Sequence, residues 1–506
     1  MRSTRLLLLA LVAVVVVALA MSFDGSPAAT SSGLESPPIP TAGRPGALSS
    51  TWFCAAGGAA TQAAPDHELF MVNPAGETAS AKLTAYDADG VVGEKVVEVA
   101  APGPTEVDVN ATFGATGLSV MVESDAGELV VEHRLIRPNV ADQVACATSS
   151  SDRWYFPAQT TVLATAAQLY LFNPFPEDAS IDISTAVEDS VKVPPEWQGL
   201  VVPAGTSRVI DLGSGGGAQR RNQFSVAVEA RNGQVVAETA QTLGTPAAND
   251  IPATRGLRLQ VGVPRAESDW VFAEGFAGPG VNERLVLFNP GDQVAKAVVQ
   301  VTPYGAAELP PEPFELEVPP RRYAQLDLSG ETRIPAEGLH AIRVETDDDT
   351  PIVAGRVVTL TGSREATSSP EIAARPPVSL GTAIGNGTPV AASLWATTGV
   401  VVGGRQESLV AVHNPSTDTV RVNATVIGGS GDGTTLADAV EVAPGDSLAI
   451  GTAGRELGSV EVTILVEATA PVVVERTITF LNQNDLSMGL AVPLPNGRDG
   501  LDPVGR

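Results

Sequence analysis

The chain of 506 residues has few basic side chains: 31 Lys and Arg stand against 58 Asp and Glu, and the formal net charge is −27. Binding to a nucleic-acid backbone requires patches of Lys and Arg, so this charge argues against nucleic acid as a partner. Long apolar runs at helical spacing are also missing beyond the N-terminus, whereas the chain has 50 Gly and 39 Pro. These features predict an all-β protein with many turns.

Motifs that carry catalysis or bind cofactors are missing as well. The sequence contains no HExxH, CxxC or GxSxG motif and no phosphate-binding loop with a Lys. Its four His residues are scattered: His67, His133, His340 and His413. His413 stands where two other repeats have Phe beside an Asn-Pro pair, which indicates a partly exposed strand position. We therefore expect no catalytic residue, no cofactor and no metal site, and no enzyme activity.

The N-terminus has the pattern of an export signal. Arg2 and Arg5 precede an apolar run of 16 residues, Leu6 to Met21. This run is longer than most signal cores but shorter than the membrane span of about 20 residues. For residues 1–21 we favour an uncleaved N-terminal transmembrane anchor, with a cleaved signal peptide as the alternative. Residues 22–50 are rich in Pro, Ser and Gly and predict a flexible spacer.

An aliphatic strand that ends in Asn-Pro occurs four times in the rest of the chain. A Trp precedes each Asn by 19 or 21 residues, and an alternating apolar strand and a Pro-centred turn follow. Pro ends a strand because it has no N–H for a β-ladder, and an Asn side chain readily bonds nearby backbone. The pattern predicts structural corners at Asn73-Pro74, Asn173-Pro174, Asn289-Pro290 and Asn414-Pro415.

Each repeat holds about seven short strands bounded by turn residues. This predicts a tandem array of four immunoglobulin-like or fibronectin-like antiparallel β-sandwich domains after an N-terminal signal-anchor helix. A four-bladed propeller is the alternative, but its blades have about four strands in roughly 40–50 residues. The expected boundaries are 51–148 for repeat 1, 152–264 for repeat 2, 268–385 for repeat 3 and 391–495 for repeat 4, with a disordered tail at 496–506.

The chain has two cysteines, Cys54 and Cys146. Cys54 lies two residues after the first Trp, and Cys146 lies eight residues before Trp154. The repeat pattern therefore places them on the first and last strands of repeat 1. In an oxidising compartment this predicts a disulfide bond, with two free buried thiols as the alternative.

Acidic clusters have two interpretations. Asp87–Gly90 and Asp347–Asp349 offer oxygen ligands for Ca²⁺, but the first lacks the spacing and the terminal Glu of a calcium loop, so we expect turns. Glu132 with Arg134, and Glu475 with Arg476, lie on closing strands of repeats 1 and 4. For these pairs we expect ion pairs on a strand surface.

Several passages resemble an actinobacterial family of exported or membrane-anchored proteins of unknown function. They are TWFCAAGG at 51–58, RWYFPAQTT at 153–161, NPFPEDASIDIS at 173–184 and GLVVPAGTSRVIDL at 199–212. The resemblance implies secreted or single-span envelope proteins and a neighbourhood of envelope-sugar assembly. It brings no activity and no catalytic residue to this chain.

The expected function is that of a non-catalytic extracytoplasmic cell-envelope protein, a scaffold or binding module, secreted or anchored to the membrane by its N-terminus. A cell-envelope glycan or an envelope protein is the expected partner. One alternative is a cell-envelope carbohydrate-active enzyme with carboxylates in an inter-domain groove, which requires two carboxyls about 5–9.5 Å apart. The other alternative is a purely structural stalk or adhesin.

Overall fold

Strands make up nearly all of the regular structure in the computed structural model. The described residues are 37–58, 65–74, 77–101, 103–162, 164–245, 254–307, 309–361, 380–402, 408–428, 432–452, 457, 460–480, 482, 484–495 and 501–504. The expected export signal or anchor at 1–21 lies outside them. Within the described part of the chain, no helix is long and apolar enough to cross a membrane.

Repeat 1 forms two four-stranded antiparallel sheets. Its elements are β1 Ser50–Cys54, β2 Asp66–Val72, β3 Ala79–Tyr86, β4 Val91–Val99, β5 Thr105–Asp108, α1 Val109–Phe113, β6 Ser119–Ser124, β7 Val130–Arg137 and β8 Val140–Ala145. The strand orders are β1-β6-β3-β4 and β5-β2-β7-β8. Apolar side chains from both sheets, including Trp52, Leu83 and Val131, form one core between them.

Repeat 2 uses the same arrangement. Its strands are β9 Arg153–Gln159, β10 Thr165–Asn173, β11 Ala179–Ala186, β12 Val191–Lys192, β13 Leu200–Val202, β14 Thr206–Asp211, β15 Phe224–Asn232, β16 Val236–Thr245 and β17 Thr254–Val261. One sheet has the order β12-β11-β15-β9 with β13 on β11, and the other has β14-β10-β16-β17. A short 3₁₀ turn, Pro195–Trp197, precedes β13.

Repeat 3 again pairs two sheets. Its strands are β18 Asp269–Phe272, β19 Phe276–Ala277, β20 Val281–Asn289, β21 Ala295–Pro303, β22 Phe314–Val318, β23 Arg322–Asp327, β24 Gly338–Thr346, β25 Val353–Thr361 and β26 Leu380–Asn386. The orders are β18-β24-β21-β22, with β19 on β24, and β23-β20-β25-β26. A 3₁₀ turn, Leu328–Gly330, follows β23.

Repeat 4 differs because one long strand belongs to both layers. Its strands are β27 Val390–Val402, β28 Ser408–His413, β29 Val420–Ile427, β30 Thr435–Val442, β31 Ser447–Gly451, β32 Val460–Phe480, β33 Asp485–Leu490, β34 Val492–Pro493 and β35 Asp502–Pro503. The first part of β32 pairs with β27 and β29, and its second part pairs with β28 and β33. The all-β prediction with antiparallel sheets is confirmed.

The Asn-Pro corners have the geometry that the sequence predicts. Each Asn side chain is at most 4% exposed, and its Nδ2 donates to the backbone oxygen four residues later, at 2.6–2.8 Å. In repeats 2, 3 and 4, the Asn Oδ1 also accepts the backbone N–H two residues later. The side chain thus bonds the backbone that follows the Pro, and these residues fix the turn into the next strand. They are Asn73, Asn173, Asn289 and Asn414.

The Trp strand of each repeat closes its sandwich-like unit. The residue after the Trp pairs with the segment that follows β8, β17, β26 or β33 of the same repeat. The pairs are Phe53 with Ala147, Tyr155 with Val263, Val271 with Thr388, and Ala396 with Val492. In repeat 1 a disulfide bond between Cys54 and Cys146 lies beside this pairing, with 2.05 Å between the two sulfurs. The expected cysteine pair is therefore present.

The repeats are packed around four central strands. These strands are β8, β17, β26 and β33, one from each repeat, and each packs against at least two of the others. We call this set the central ring. Pro38–Arg506 accordingly forms one compact unit.

Both ends of this unit are more ordered than the composition predicts. In the expected flexible spacer, Ile39 is 4% exposed and packs in the core of repeat 4, while Ala42 packs in the core of repeat 1. The Ala42 N–H donates to Pro493 O at 3.1 Å. In the expected disordered tail, Asp502–Pro503 pairs with β27. The two predictions are wrong for these segments because their apolar side chains are buried: Ile39 and Ala42 where repeats 1 and 4 meet, and Val504 against residues of repeats 3 and 4.

Candidate functional site

The central ring brings together the free edges of four sheets. An edge strand has backbone N–H groups without a partner, and burying them without an acceptor is unfavourable. Asp485 supplies the acceptor. Its carboxylate accepts the N–H of Ala141 (3.2 Å), Leu257 (2.9 Å), Thr382 (3.1 Å) and Leu486 (3.0 Å). These donors come from β8, β17, β26 and β33, so one side chain joins all four repeats.

Asp142 forms a second acceptor beside the first. Its carboxylate accepts the N–H of Leu259 from repeat 2 at 2.6 Å and the N–H of Gln143 at 2.8 Å. Burial raises the pKa of Asp142 to about 7, although hydrogen bonds from Ser487 and the backbone oppose this shift. Burial also raises the pKa of Asp485 well above its ordinary value. No local pattern predicts a special role for either residue, since each is a lone Asp on a strand.

Each boundary between two neighbouring repeats is called a seam here, and three seams share one buried contact. Repeats 1, 2 and 4 have a Glu at the same position, and its side chain reaches the neighbouring repeat. There it accepts a backbone N–H of a residue that lies three or four positions after the Trp of that neighbouring repeat. Glu238 bonds Ala55 and Ala56 at 3.1 and 2.9 Å, Glu475 bonds Glu274 at 2.7 Å, and Glu132 bonds Thr398 at 3.0 Å. The contact of Glu132 joins repeat 1 to repeat 4 and closes the ring.

The same three carboxylates bind a cationic or imidazole side chain of the neighbouring repeat. His133 Nε2 lies 2.8 Å from Glu238 Oε1, Arg356 Nη2 lies 3.2 Å from Glu475 Oε1, and Arg476 Nη2 lies 2.8 Å from Glu132 Oε2. All six side chains are at most 1% exposed. Buried charges need such partners because they have lost their hydration.

The seam between repeats 2 and 3 lacks this contact. Gly355 stands where the other repeats have Glu, and Pro157, three residues after Trp154, has no N–H to donate. A Cβ at Gly355 would lie 2.5 Å from Pro157 Cγ. At this position the seam instead has an apolar cluster of Ala158, Val286, Val357 and Ile384. The Glu acceptor and the N–H three residues after the Trp are therefore missing together.

The predicted surface ion pairs of repeats 1 and 4 are wrong. Glu132, Arg134, Glu475 and Arg476 are at most 3% exposed, because a neighbouring repeat covers the strand face on which they lie. Arg134 Nη1 donates to Glu68 at 3.2 Å, and its guanidinium lies 4.3 Å from the centre of the Phe70 ring. These residues hold seams together.

The four His residues are buried as well, which corrects the expected exposed position of His413. His413 is 5% exposed, and burial lowers its pKa to about 4. His67 and His133 lie in the seam between repeats 1 and 2, with His67 Nε2 3.3 Å from His133 Nδ1. Burial and the charge of His133 hold the pKa of His67 well below its usual range. His340 lies in the seam between repeats 3 and 4.

A groove opens to solvent at the seam between repeats 3 and 4. It has a volume of about 670 Å³, and its lining includes Tyr304, Glu337 and His340 from repeat 3 and Ala449 from repeat 4. His340 Nε2 lies 3.0 Å from Glu283 Oε2. Behind this pair, the buried Glu274 has a pKa that burial raises to about 8. Sequence reasoning missed this group because its members are far apart in the chain.

The acidic turns bond their own backbone. Asp87 Oδ1 accepts the N–H of Asp89 and of Gly90, at 2.8 and 3.1 Å, in the turn between β3 and β4. Asp348 Oδ1 accepts the N–H of Thr350 at 3.3 Å. Among the residues that the structure describes, no three His, Cys, Asp or Glu side chains are grouped so that they could hold a metal ion.

Known proteins similar to this chain include a family without an assigned function. Residues 142–383 match the family described as "Family of unknown function (DUF5719)". The matched stretch runs from β8 of repeat 1 to β26 of repeat 3 and includes all of repeat 2. No curated protein matches the chain.

Three solved structures have limited similarity to the chain. "Thermotoga maritima 1070" is 19% identical, with 24% of this chain and 93% of that chain covered and a TM-score of 0.19. The Anabaena sensory rhodopsin transducer is 25% identical, with 18% and 87% covered and a TM-score of 0.16. A marsupial T cell receptor is 11% identical, with 66% and 97% covered and a TM-score of 0.09. At these TM-scores the three similarities support no conclusion about the fold or the function of this chain.

Proposed function

We propose that this chain is a non-catalytic extracytoplasmic protein of the cell envelope, working as a scaffold or binding module. In this proposal the four repeats are immunoglobulin-like β-sandwich domains held in a ring, and residues 1–21 export the chain or anchor it in the membrane. The similarity to a family of unknown function extends, in this view, to the exported actinobacterial proteins that the sequence resembles.

One observation carries the non-catalytic proposal. Within the described residues, three buried carboxylates at the seams accept backbone N–H groups and bind Arg or His across the seam. Glu132, Glu238 and Glu475 all do so, and each is at most 1% exposed. A group bound in this way stabilises the ring and is closed to a substrate. The proposed extracytoplasmic location is supported by the disulfide between Cys54 and Cys146, because such bonds persist in oxidising compartments.

The alternative of a carbohydrate-active enzyme has less support. Glu274, Glu283 and Glu475 lie close to one another near the groove between repeats 3 and 4, but their side chains are at most 1% exposed. Glycoside hydrolysis requires two carboxyls that face the substrate in a cleft. The alternative of a purely structural stalk differs from our proposal only in having no specific ligand.

Binding to native envelope material tests the proposal. Residues 38–506 are immobilised and incubated with envelope fragments at low salt, at high salt and with calcium. We expect retention that persists at high salt, because binding through the acidic surface alone would be screened. Failure to retain fragments under every condition would contradict a binding module. Release of reducing sugar ends from the same fragments would contradict a non-catalytic role.

Cell fractionation tests the location separately. We expect the chain in the membrane fraction, with repeat 1 accessible to a protease added outside the cell. The control is a cytoplasmic protein that the protease leaves intact. A chain that stays protected until the membrane is broken would contradict the extracytoplasmic location.

A further inference from the structure

We infer that the groove between repeats 3 and 4 is a carbohydrate-binding site. This inference deepens the proposed function, on which it rests, by naming the surface and the chemical class of the ligand. The groove has a volume of about 670 Å³, which lies within the range of about 300–1,000 Å³ that ligand pockets commonly have. It therefore has room for more than one sugar ring.

The groove is where the sequence departs from its own repeat. Each Trp pairs with a Val of the strand beside it: Trp52 with Val122, Trp154 with Val228, Trp270 with Val344, and Trp395 with Val466. Four residues before that Val, repeats 1, 2 and 4 have the fully buried apolar residues Leu118, Phe224 and Val462. Repeat 3 has His340. The fold fills this position with an apolar side chain, so packing does not require an imidazole there.

The surroundings of His340 are arranged for it. The side chain is 2% exposed and belongs to the lining of the groove. Its Nε2 lies 3.0 Å from Glu283 Oε2 but makes no hydrogen bond of regular geometry. Gly275 lies against this pair, and a Cβ there would be 2.5 Å from His340 Nε2 and 2.7 Å from Glu283 Oε1. A buried imidazole without a regular hydrogen bond is a polar group to which a ligand hydroxyl can bond.

The other lining residues combine flat apolar faces with polar groups. Pro303, Pro335 and Tyr304 offer ring faces, and Tyr304 is held by a 2.7 Å hydrogen bond from its hydroxyl to Ala273 O. Glu337 adds a carboxylate. A sugar ring has the matching chemistry, with apolar C–H faces that pack on flat rings and hydroxyls that bond to imidazole and carboxylate oxygen.

The charge of the groove distinguishes a neutral sugar from an anion or a basic peptide as the ligand. Glu337 lines the groove, Glu283 lies behind it against His340, and the chain has a net charge of −27, so a phosphate or another anion would be repelled. A basic peptide would be attracted by these charges but would not use the ring faces of Tyr304, Pro303 and Pro335. A neutral saccharide uses both features of the groove, which is why we favour it over a peptide.

Histidine NMR on the full chain tests the inference directly. The chain has four His residues, so a His-labelled sample gives one ring signal for each. The probes are neutral tetrasaccharides of glucose, galactose, mannose, arabinose and N-acetylglucosamine at millimolar concentration. We expect at least one of them to shift the His340 signal in a saturable way and to leave His67 and His133 unchanged.

Two variants make the result specific. His340→Leu assigns the signal and should fold, because repeat 1 has Leu118 at the same position. We expect His340→Leu and Glu337→Gln to weaken binding of the active tetrasaccharide at least about tenfold by calorimetry, a loss of about 1.4 kcal/mol. The inference is overturned if no tetrasaccharide shifts the His340 signal, or if the variants bind as tightly as the unchanged chain. It is also overturned if a basic peptide shifts this signal and no saccharide does.

The envelope assay separates this inference from the proposed function. If the unchanged chain and His340→Leu are retained equally on envelope fragments, the binding module stands and the groove is not its site. If a tetrasaccharide shifts the His340 signal but the chain is not retained on the fragments, the groove assignment stands and the proposed envelope function falls.

Discussion

Asp485 accepts hydrogen bonds that a neighbouring strand would accept inside a sheet. The four N–H donors come from equivalent positions on β8, β17, β26 and β33, and each bonds the carboxylate at 2.9–3.2 Å. Without an acceptor, four edge strands that meet at one axis would bury their N–H groups unsatisfied. A single acidic residue therefore allows the edges of four sheets to pack together.

Replacement of Asp485 by Ala should destabilise the whole unit. Each buried N–H left without an acceptor costs about 1–3 kcal/mol, so we expect a loss of at least about 3 kcal/mol in the free energy of unfolding. Urea unfolding followed by Trp fluorescence measures it. The matched control is Asp502→Ala on the exposed strand β35. A loss below about 1 kcal/mol for Asp485→Ala would show that the carboxylate is not needed for the ring.

Because of Glu274, the stability of the folded chain should fall as the pH rises. Burial raises its pKa to about 8 in the folded chain. The neighbouring Glu475 and Glu283 also raise the pKa, whereas Arg356 lowers it. The ordinary value is about 4.3. The folded chain therefore binds a proton that the unfolded chain releases. The resulting stabilisation is fully present below about pH 4 and is lost as the pH rises through about 8.

The variant Glu274→Gln should remove this part of the pH dependence, because Gln stays neutral at every pH. Between pH 5 and pH 8.5 we expect the unchanged chain to lose more unfolding free energy than the variant, by more than about 1 kcal/mol. Urea unfolding at a series of pH values gives both slopes. Glu312→Gln at an exposed position is the control. Equal slopes for the unchanged chain and Glu274→Gln would contradict the raised pKa.

At the scale of elements, the seams follow one rule with one exception. In three seams a Glu on the closing strand bonds the neighbouring backbone after the Trp strand. In the fourth seam Gly355 replaces the Glu and Pro157 replaces the N–H donor. The close approach of 2.5 Å between a Cβ at Gly355 and Pro157 Cγ explains why the two changes occur together.

A double-mutant cycle tests this coupling. Gly355→Glu alone should destabilise the chain by roughly 1–3 kcal/mol, because its side chain meets the Pro157 ring and finds no N–H donor. With Pro157→Ala the donor is restored, so we expect the double variant to regain part of the loss and the two changes to be non-additive by about 0.5 kcal/mol or more. Gly451→Ala, where no atom lies within 4 Å of the added Cβ, is the control. Additive effects would contradict the coupling.

The sequence predicts the elements well where local rules decide them. Asn289-Pro290 makes a corner because Pro ends the ladder and the Asn side chain bonds the backbone around it. The strand after it buries Ala295, Ala297, Val299 and Val301, as their alternation predicts. The disulfide pair also follows from the repeat, because Cys54 and Cys146 occupy paired strand positions.

The seams could not be predicted from local pattern. Glu132 has the spacing of a residue that faces water, and it is buried because repeat 4 covers that face. Its one sequence signal is the recurrence of Glu at the same repeat position as Glu238 and Glu475. His340 has a similar signal, since it interrupts a position that other repeats fill with Leu118, Phe224 and Val462. Asp485 gives none, because its four donors come from four distant parts of the chain.

At the scale of the whole molecule, the four repeats form one unit. The segment Pro38–Pro40 lines a small cavity together with residues of all four central strands, and Asp502–Pro503 pairs with β27. The N-terminal segment thus packs where repeats 1 and 4 meet, a boundary that no linker of the chain crosses, and the C-terminal strand packs on repeat 4. A ring closed in this way offers a binding module a rigid arrangement of domains and grooves between them.

Small-angle X-ray scattering from residues 38–506 tests the central claim most directly. A single compact unit of this length has a radius of gyration of about 23 Å, whereas four domains of about 100 residues in a line would have roughly 40 Å. We expect the smaller value, with a single maximum in the distance distribution. A radius near the larger value would contradict the ring, and with it the seams, the role of Asp485 and the groove between repeats 3 and 4.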